Sequence, residues 1–124
     1  MQALLMVMLG GALGAATRYG AALLAERFSD AALPLATWGV NFTGCLLIGL
    51  LVPLLGRGGL PDALQYLLVV GFLGALTTFS TFSLETLVLW EGGLPWYALL
   101  NAAGSVVIGL LCVWLGLQLG RLLA

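Results

Sequence analysis

A chain of 124 residues that is 62% hydrophobic and 7% charged cannot be a soluble globular domain of ordinary make-up. Its net charge of −1 and the lack of any basic run give no footprint for nucleic acid or for an anionic membrane surface. There is no histidine, no nucleophile beside a base and no pair of carboxylates in one apolar run, so the usual catalytic sets are absent and a non-enzyme is expected.

A membrane-spanning helix needs ~20 apolar residues. The length therefore predicts one all-α membrane domain, residues 1–124, with four spans near residues 3–25, 33–55, 63–91 and 94–122. The N-terminus lacks the basic flank and small-residue cleavage site of a removable signal, so span one is expected to stay as a helix. It carries Gly10, Gly14, Thr17 and Arg18. Arg18 either snorkels to the interface or is buried holding helix ends and loop carbonyls. The structural role is preferred, because a fixed full charge in a pore would trap an anion.

The linker Glu26-Arg27-Phe28-Ser29-Asp30 leads to span two, which opens at Pro34 and carries Thr37, Asn41, Gly44 and Ile48. The missing amide donor of Pro34, like that of Pro95 later, costs little at a helix start. An asparagine in a span is either interhelical glue or a ligand donor. Its amide offers two N–H donors, which suit an anion better than a cation. Spacing leaves the two roles of Asn41 open.

After Arg57-Gly58-Gly59-Leu60-Pro61-Asp62, span three holds the most informative segment, Thr77-Thr78-Phe79-Ser80-Thr81-Phe82-Ser83. Five hydroxyls and two phenyl rings stand where a span should be purest hydrocarbon. Hydroxyls compete with the backbone for hydrogen bonds and disturb a regular helix. Polar groups at membrane depth are expensive unless buried in protein or lining a water or ion path. The bland reading is hydroxyls bonded to the preceding turn of a packed helix; the sharper one, which five hydroxyls favour, is a permeation site. Phe79 and Phe82, three apart, are expected on one face, and Glu85 continues that spacing. Glu85 needs partners or water, and spacing does not say whether it faces an ion or holds a helix.

The linker Glu91-Gly92-Gly93-Leu94-Pro95 precedes span four, with Asn101, Ser105, Gly109, Cys112, Gly116 and Gly120 at intervals of three and four. Such stripes of small residues let helices approach closely and say only that the helices assemble. Cys45 and Cys112, inside apolar spans, are expected to pack rather than to bridge or bind metal. Orientation follows the excess of basic residues in cytoplasmic loops. Arg57 and Arg121 lie on one side and Arg18 and Arg27 on the other, so there is no bias. A chain without an orientation signal inserts both ways, and opposed copies can then pair about an axis in the membrane plane, like the inverted repeats of transporters.

Three segments carry a resemblance: Gly10-Gly11-Ala12-Leu13-Gly14-Ala15-Ala16-Thr17-Arg18-Tyr19, Gly39-Val40-Asn41-Phe42-Thr43-Gly44, and Gly71-Phe72-Leu73-Gly74-Ala75-Leu76-Thr77-Thr78-Phe79-Ser80-Thr81-Phe82. In this order, in a short chain with four spans, they resemble the Fluc (CrcB-type) fluoride channel family nearly end to end. The third segment is the most specific. The resemblance implies an antiparallel, dual-topology homodimer in the inner (plasma) membrane, with a third helix broken near its middle and two fluoride pathways. It implies that Asn41, Phe79 and Phe82 line each pathway, with Ser80 and Thr81 as hydroxyl donors. Glu85 and Ser105 join the pathway candidates with their roles open. Backbone carbonyls at Gly74 and Thr77 from both subunits would hold a central structural sodium ion. The expected partners are fluoride, a second copy and the lipid bilayer, with no nucleic acid. Two positions depart from the family's pattern: Trp38, where a smaller residue commonly precedes the glycine, and Asn101, where a tyrosine is sometimes found.

Two rival functions remain. A small proton-coupled multidrug exporter needs an ionisable acid near the midplane. Span one has none, and Glu85 sits well past the middle of span three. A non-transporting assembly subunit would account for the glycine stripes but leaves residues 77–83 unexplained.

Overall fold

The computed structural model describes residues 1–28, 32–56 and 61–124. Ser29 and Asp30 of the first linker, and Arg57 to Leu60 of the second, lie outside the described residues. All the regular structure described is helical, and four helical passages are long and apolar enough to cross a membrane. They are α1 (Gln2–Phe28), α2 (Leu35–Gly56), a composite passage over Asp62–Glu91, and, last in the chain, Pro95–Leu123. The composite passage runs through α3 (Asp62–Gln65), a π-helical segment (Tyr66–Leu73), α4 (Gly74–Leu76) and α5 (Phe79–Glu91), so the final helix is α6. Between α4 and α5, Thr77 and Thr78 take extended dihedrals, φ −79°, ψ 154° and φ −149°, ψ 124°.

Two tight pairings hold the chain together, α2 with α6 and α1 with the π-helical segment. Glycine makes both possible, because in lipid helices are held by close packing rather than by expulsion from water. On α1, a side chain at Gly10 would strike the Leu67 carbonyl and the Phe72 amide, and one at Gly14 the Phe72 carbonyl and the Leu76 amide. Gly71 answers from the other side against the Val7 carbonyl. In the second pair, Gly49 lies on the Val113 carbonyl and the Leu117 amide, while Gly116 lies on the Leu46 carbonyl and the Leu50 amide. Gly120 closes the seam over the Leu50 carbonyl and the Pro53 ring. The small-residue stripe of span four thus meets span two.

A small buried cluster of Val40, Leu73 and Leu76, flanked by Phe72, Leu47 and Ile48, ties α2 to the composite passage. The α5–α6 turn closes with Gly93 at φ +76°, its neighbours bonding Gly92 N–H to the Val88 carbonyl and Leu94 N–H to the Leu89 carbonyl. A left-handed residue at a helix end favours glycine, and these bonds satisfy otherwise orphaned carbonyls. Pro95 then begins α6, where its lack of an N–H costs nothing. Most large apolar side chains point outward, among them Leu4, Val70, Leu84, Leu110 and Trp114. That inversion of a soluble protein's pattern suits hydrocarbon surroundings.

Candidate functional site

The extended pair Thr77–Thr78 strands backbone groups that a continuous helix would have paired. The Thr78 N–H, which a regular helix would send to the Gly74 carbonyl, donates instead to Asn41 Oδ1 at 2.8 Å. Asn41 Nδ2 in turn donates to the Thr78 carbonyl at 3.0 Å. Because one contact needs an acceptor and the other a donor, the amide orientation is fixed. Asn41 therefore acts as interhelical glue on the backbone of Thr78 and still lines a cavity beside it. Arg18 reaches the Thr77 carbonyl through Nη1 at 3.5 Å. The Thr77 methyl fills the notch left by Gly44.

The hydroxyls divide by role. Thr77 and Ser83 donate to the carbonyls four residues back, Leu73 at 2.9 Å and Phe79 at 2.8 Å, as the bland reading expects. Thr78 is the N-cap of α5: its Oγ1 accepts from the Thr81 N–H at 3.2 Å and contacts the Ser80 and Thr81 hydroxyls at 3.3 and 3.1 Å. A threonine in this role satisfies one of the orphan donors at a helix start.

Two cavities flank this junction, and Thr78 borders both. One, of about 410 Å³, brings together Asn41, Gly74, Thr77, Phe79, Phe82 and Ser105, and none of its lining residues among those described is charged. The rings of Phe79 and Phe82 share its wall, centroids 5.5 Å apart and tilted by 44°. The other, of about 590 Å³, gathers Arg18, Thr37, Ser80, Thr81 and Glu85, with Glu26 at its edge. The residues expected along a single path are thus distributed over two spaces. Glu85 falls with Ser80 and Thr81 and not with the rings. The helix explains this: Phe79 and Phe82 lie on one side of α5, and Ser80 and Thr81 on the other.

Glu85 accepts a hydrogen bond from the Thr37 hydroxyl through Oε1 at 2.7 Å. Its Oε2 is buried and has no partner among the described residues. Thr37 sits in the polar stripe of span two, but nothing in that stripe names a partner 48 residues away. Sequence reasoning also missed Thr86 and the bonding of Trp38 to Asn101. Phe79 is 79% exposed on the single chain, and Ser80 and Thr81 are exposed beside it. One copy does not enclose these groups.

A family model described as CrcB-like protein, Camphor Resistance (CrcB), matches residues 5–117. The chain belongs to the CrcB family. A relative from Paracoccus denitrificans named Fluoride-specific ion channel FluC is 50% identical over 118 residues, spanning 94% of this chain and 93% of its own. Relatives of the same name from Thermus thermophilus and Methylobacillus flagellatus are 45% and 43% identical. The Thermus alignment covers 97% of this chain and 96% of the relative, the Methylobacillus alignment 98% and 97%. CrcB proteins are thus a family of ion channels, not of enzymes.

Proposed function

We propose that this chain is a fluoride-selective channel of the inner (plasma) membrane, letting fluoride leave the cell passively and so protecting it from fluoride toxicity. One observation carries the reading: Asn41, Phe79, Phe82 and Ser105 converge on a cavity without a charged wall, in a chain that matches proteins named as fluoride channels almost end to end. A phenyl ring has a negative face and a positive edge. Its edge can therefore meet an anion without a permanent charge that would hold the ion in place. Hydroxyl and amide donors replace part of the hydration shell, and several moderate sites permit both entry and exit. With the cell interior negative, each departing anion gains ~2.3 kcal/mol per 100 mV, so no pump is needed.

The working unit in this reading is an antiparallel, dual-topology homodimer with two pathways, and the third span acts as a broken helix. The extended dihedrals of Thr77 and Thr78 support the break. The exposure of Phe79 and of the hydroxyls beside it supports a second copy that closes each path. The balanced arginines support insertion in both orientations. A structural sodium ion at the dimer centre, held by carbonyls of Gly74 and Thr77, suits the donor set. The Gly74 carbonyl has lost its helical partner to Asn41, and the long Arg18 contact leaves Thr77 oxygen a further lone pair. Bound there, sodium would satisfy stranded acceptors at membrane depth.

Efflux from liposomes tests the proposal. Purified protein should release fluoride, retain chloride, and leave a lipophilic cation untouched. Proton-driven movement of the cation would favour a multidrug exporter, and no movement of any ion would favour an assembly subunit.

A further inference from the structure

Asn101 is fully buried, with 0% exposure, and every polar atom of its side chain is engaged. Trp38 Nε1 of α2 donates to its Oδ1 at 2.6 Å, and the Ser105 hydroxyl approaches the same oxygen at 3.4 Å. Its Nδ2 donates to Thr86 Oγ1 of α5 at 2.8 Å. Thr86 uses its own proton on the Phe82 carbonyl at 2.7 Å. Indole N–H can only donate, so the amide cannot be reversed, and the bonds Trp38–Asn101, Asn101–Thr86 and Thr86–Phe82 run in one direction. At its other end Trp38 leans on Phe42, ring centroids 5.8 Å apart, and Phe42 lines the same cavity as Phe82.

An apolar side chain of similar size would join three helices in lipid without desolvating an amide. A polar network satisfied at every member fixes one geometry instead. We infer that Asn101 is a positioning residue of the ion path: acting through Thr86, it fixes the turn of α5 that carries Phe82 relative to Trp38 of α2, and thereby the place of the Phe82 ring at the cavity. The inference rests on the fluoride-channel reading for its functional readout and on geometry alone for its spectroscopic one.

The test compares Asn101→Leu, Thr86→Val, their double variant and Thr86→Ser at equal amounts of folded protein, by fluoride efflux from liposomes and by the ring ¹³C resonances of Phe82 in micelles. Each of the first two should lower efflux about tenfold, because each removes the one Asn101–Thr86 bond that ties the Phe82 turn into the network. The double variant should fall no further than the weaker single, because both act through one chain of bonds. Thr86→Ser keeps the hydroxyl and should recover efflux to within about twofold of the parent. The Phe82 resonances should move in Asn101→Leu and Thr86→Val and return in Thr86→Ser. Parental efflux from Thr86→Val overturns the inference, even where Asn101→Leu does not fold, and so do losses that multiply in the double variant. Should the parent chain release no fluoride, the channel reading fails by itself. The resonances then decide the positioning: a shift in Thr86→Val supports it, and an unmoved Phe82 sinks it.

Discussion

Asn41 grips the peptide units of Thr78 from both sides, its Oδ1 accepting from the Thr78 N–H at 2.8 Å and its Nδ2 donating to the Thr78 carbonyl at 3.0 Å. The same side chain therefore holds the extended junction of the third passage and borders the cavity at Phe79 and Phe82. Structure and conduction can be separated here by substitution. Asn41→Asp keeps the acceptor for Thr78 N–H but replaces the donor with a carboxylate. It should abolish fluoride efflux, because a fixed negative charge repels the ion, at a structural cost of about 1–3 kcal/mol for the Thr78 carbonyl left without its donor. Asn41→Leu leaves both Thr78 groups unpaired and should cost about 1–3 kcal/mol for each in thermal or denaturant unfolding. An Asp variant that conducts normally would remove Asn41 from the path and leave it as glue.

How far the sequence alone reaches can be judged from such residues. Hydropathy reveals the four long helices, since their long and nearly uninterrupted apolar runs need no partner to be recognised. The glycines of span four foretell a close seam, but not that α2 supplies the other side, because a small residue announces approach without naming what approaches. The hydroxyl segment marks the junction at Thr77 and Thr78, yet its sorting into back-bonded, capping and cavity-lining hydroxyls depends on which side of α5 meets α6 and which meets Thr37 of α2. Thr37 with Glu85, and Trp38 with Asn101, join residues 48 and 63 positions apart, and no local pattern encodes such pairs. Trp38 and Asn101, read from the sequence as two unrelated positions, are hydrogen-bonded to each other.

The phenyl rings give a second prediction. Phe79 is largely exposed on the single chain, so Phe79→Ile should leave the chain's own packing nearly untouched. Phe82→Ile keeps bulk and apolarity and loses the positive ring edge. Both should cut fluoride efflux sharply while the purified protein elutes unchanged in size-exclusion chromatography. Methionine at either position should be partly tolerated, because a polarizable thioether adapts to an irregular gap. Normal efflux through a folded Phe79→Ile, Phe82→Ile variant would show that the rings only pack.

Orientation provides a third. A cysteine replacing Gly58 should be labelled by an impermeant thiol reagent from both faces of intact membranes, in a background without Cys45 and Cys112. Two lysines placed beside Arg57 should restrict labelling to one face by supplying the missing positive bias. Efflux should then disappear and return when a copy biased the opposite way is expressed with it. Labelling of the unbiased chain from a single face would rule out dual topology.

The centre of the proposed dimer gives the fourth. Among the described residues, a Cβ added at Gly74 would meet nothing outside its own helical turn closer than the Val69 carbonyl, at 3.8 Å, which is ordinary van der Waals contact. Gly74 is also exposed on the single chain, so there is room for the Cβ of Gly74→Ala, and the added methyls of Gly74→Val can turn toward that exposed side. Damage to assembly with helix content unchanged then points to what faces Gly74 outside the chain. If carbonyls of Gly74 and Thr77 from two copies meet around a sodium ion, Gly74→Val should leave helix content unchanged and weaken the dimer by crowding. Chemical cross-linking across a dilution series in detergent would show this as a shift to monomer, and added sodium should oppose the shift in the parent protein. Sodium that stays bound through many transport cycles is structural, so fluoride efflux should proceed at the same rate with or without a sodium gradient. A fluoride flux that requires the gradient would make the protein a symporter, and an unperturbed dimer in Gly74→Val would place the contact between copies elsewhere.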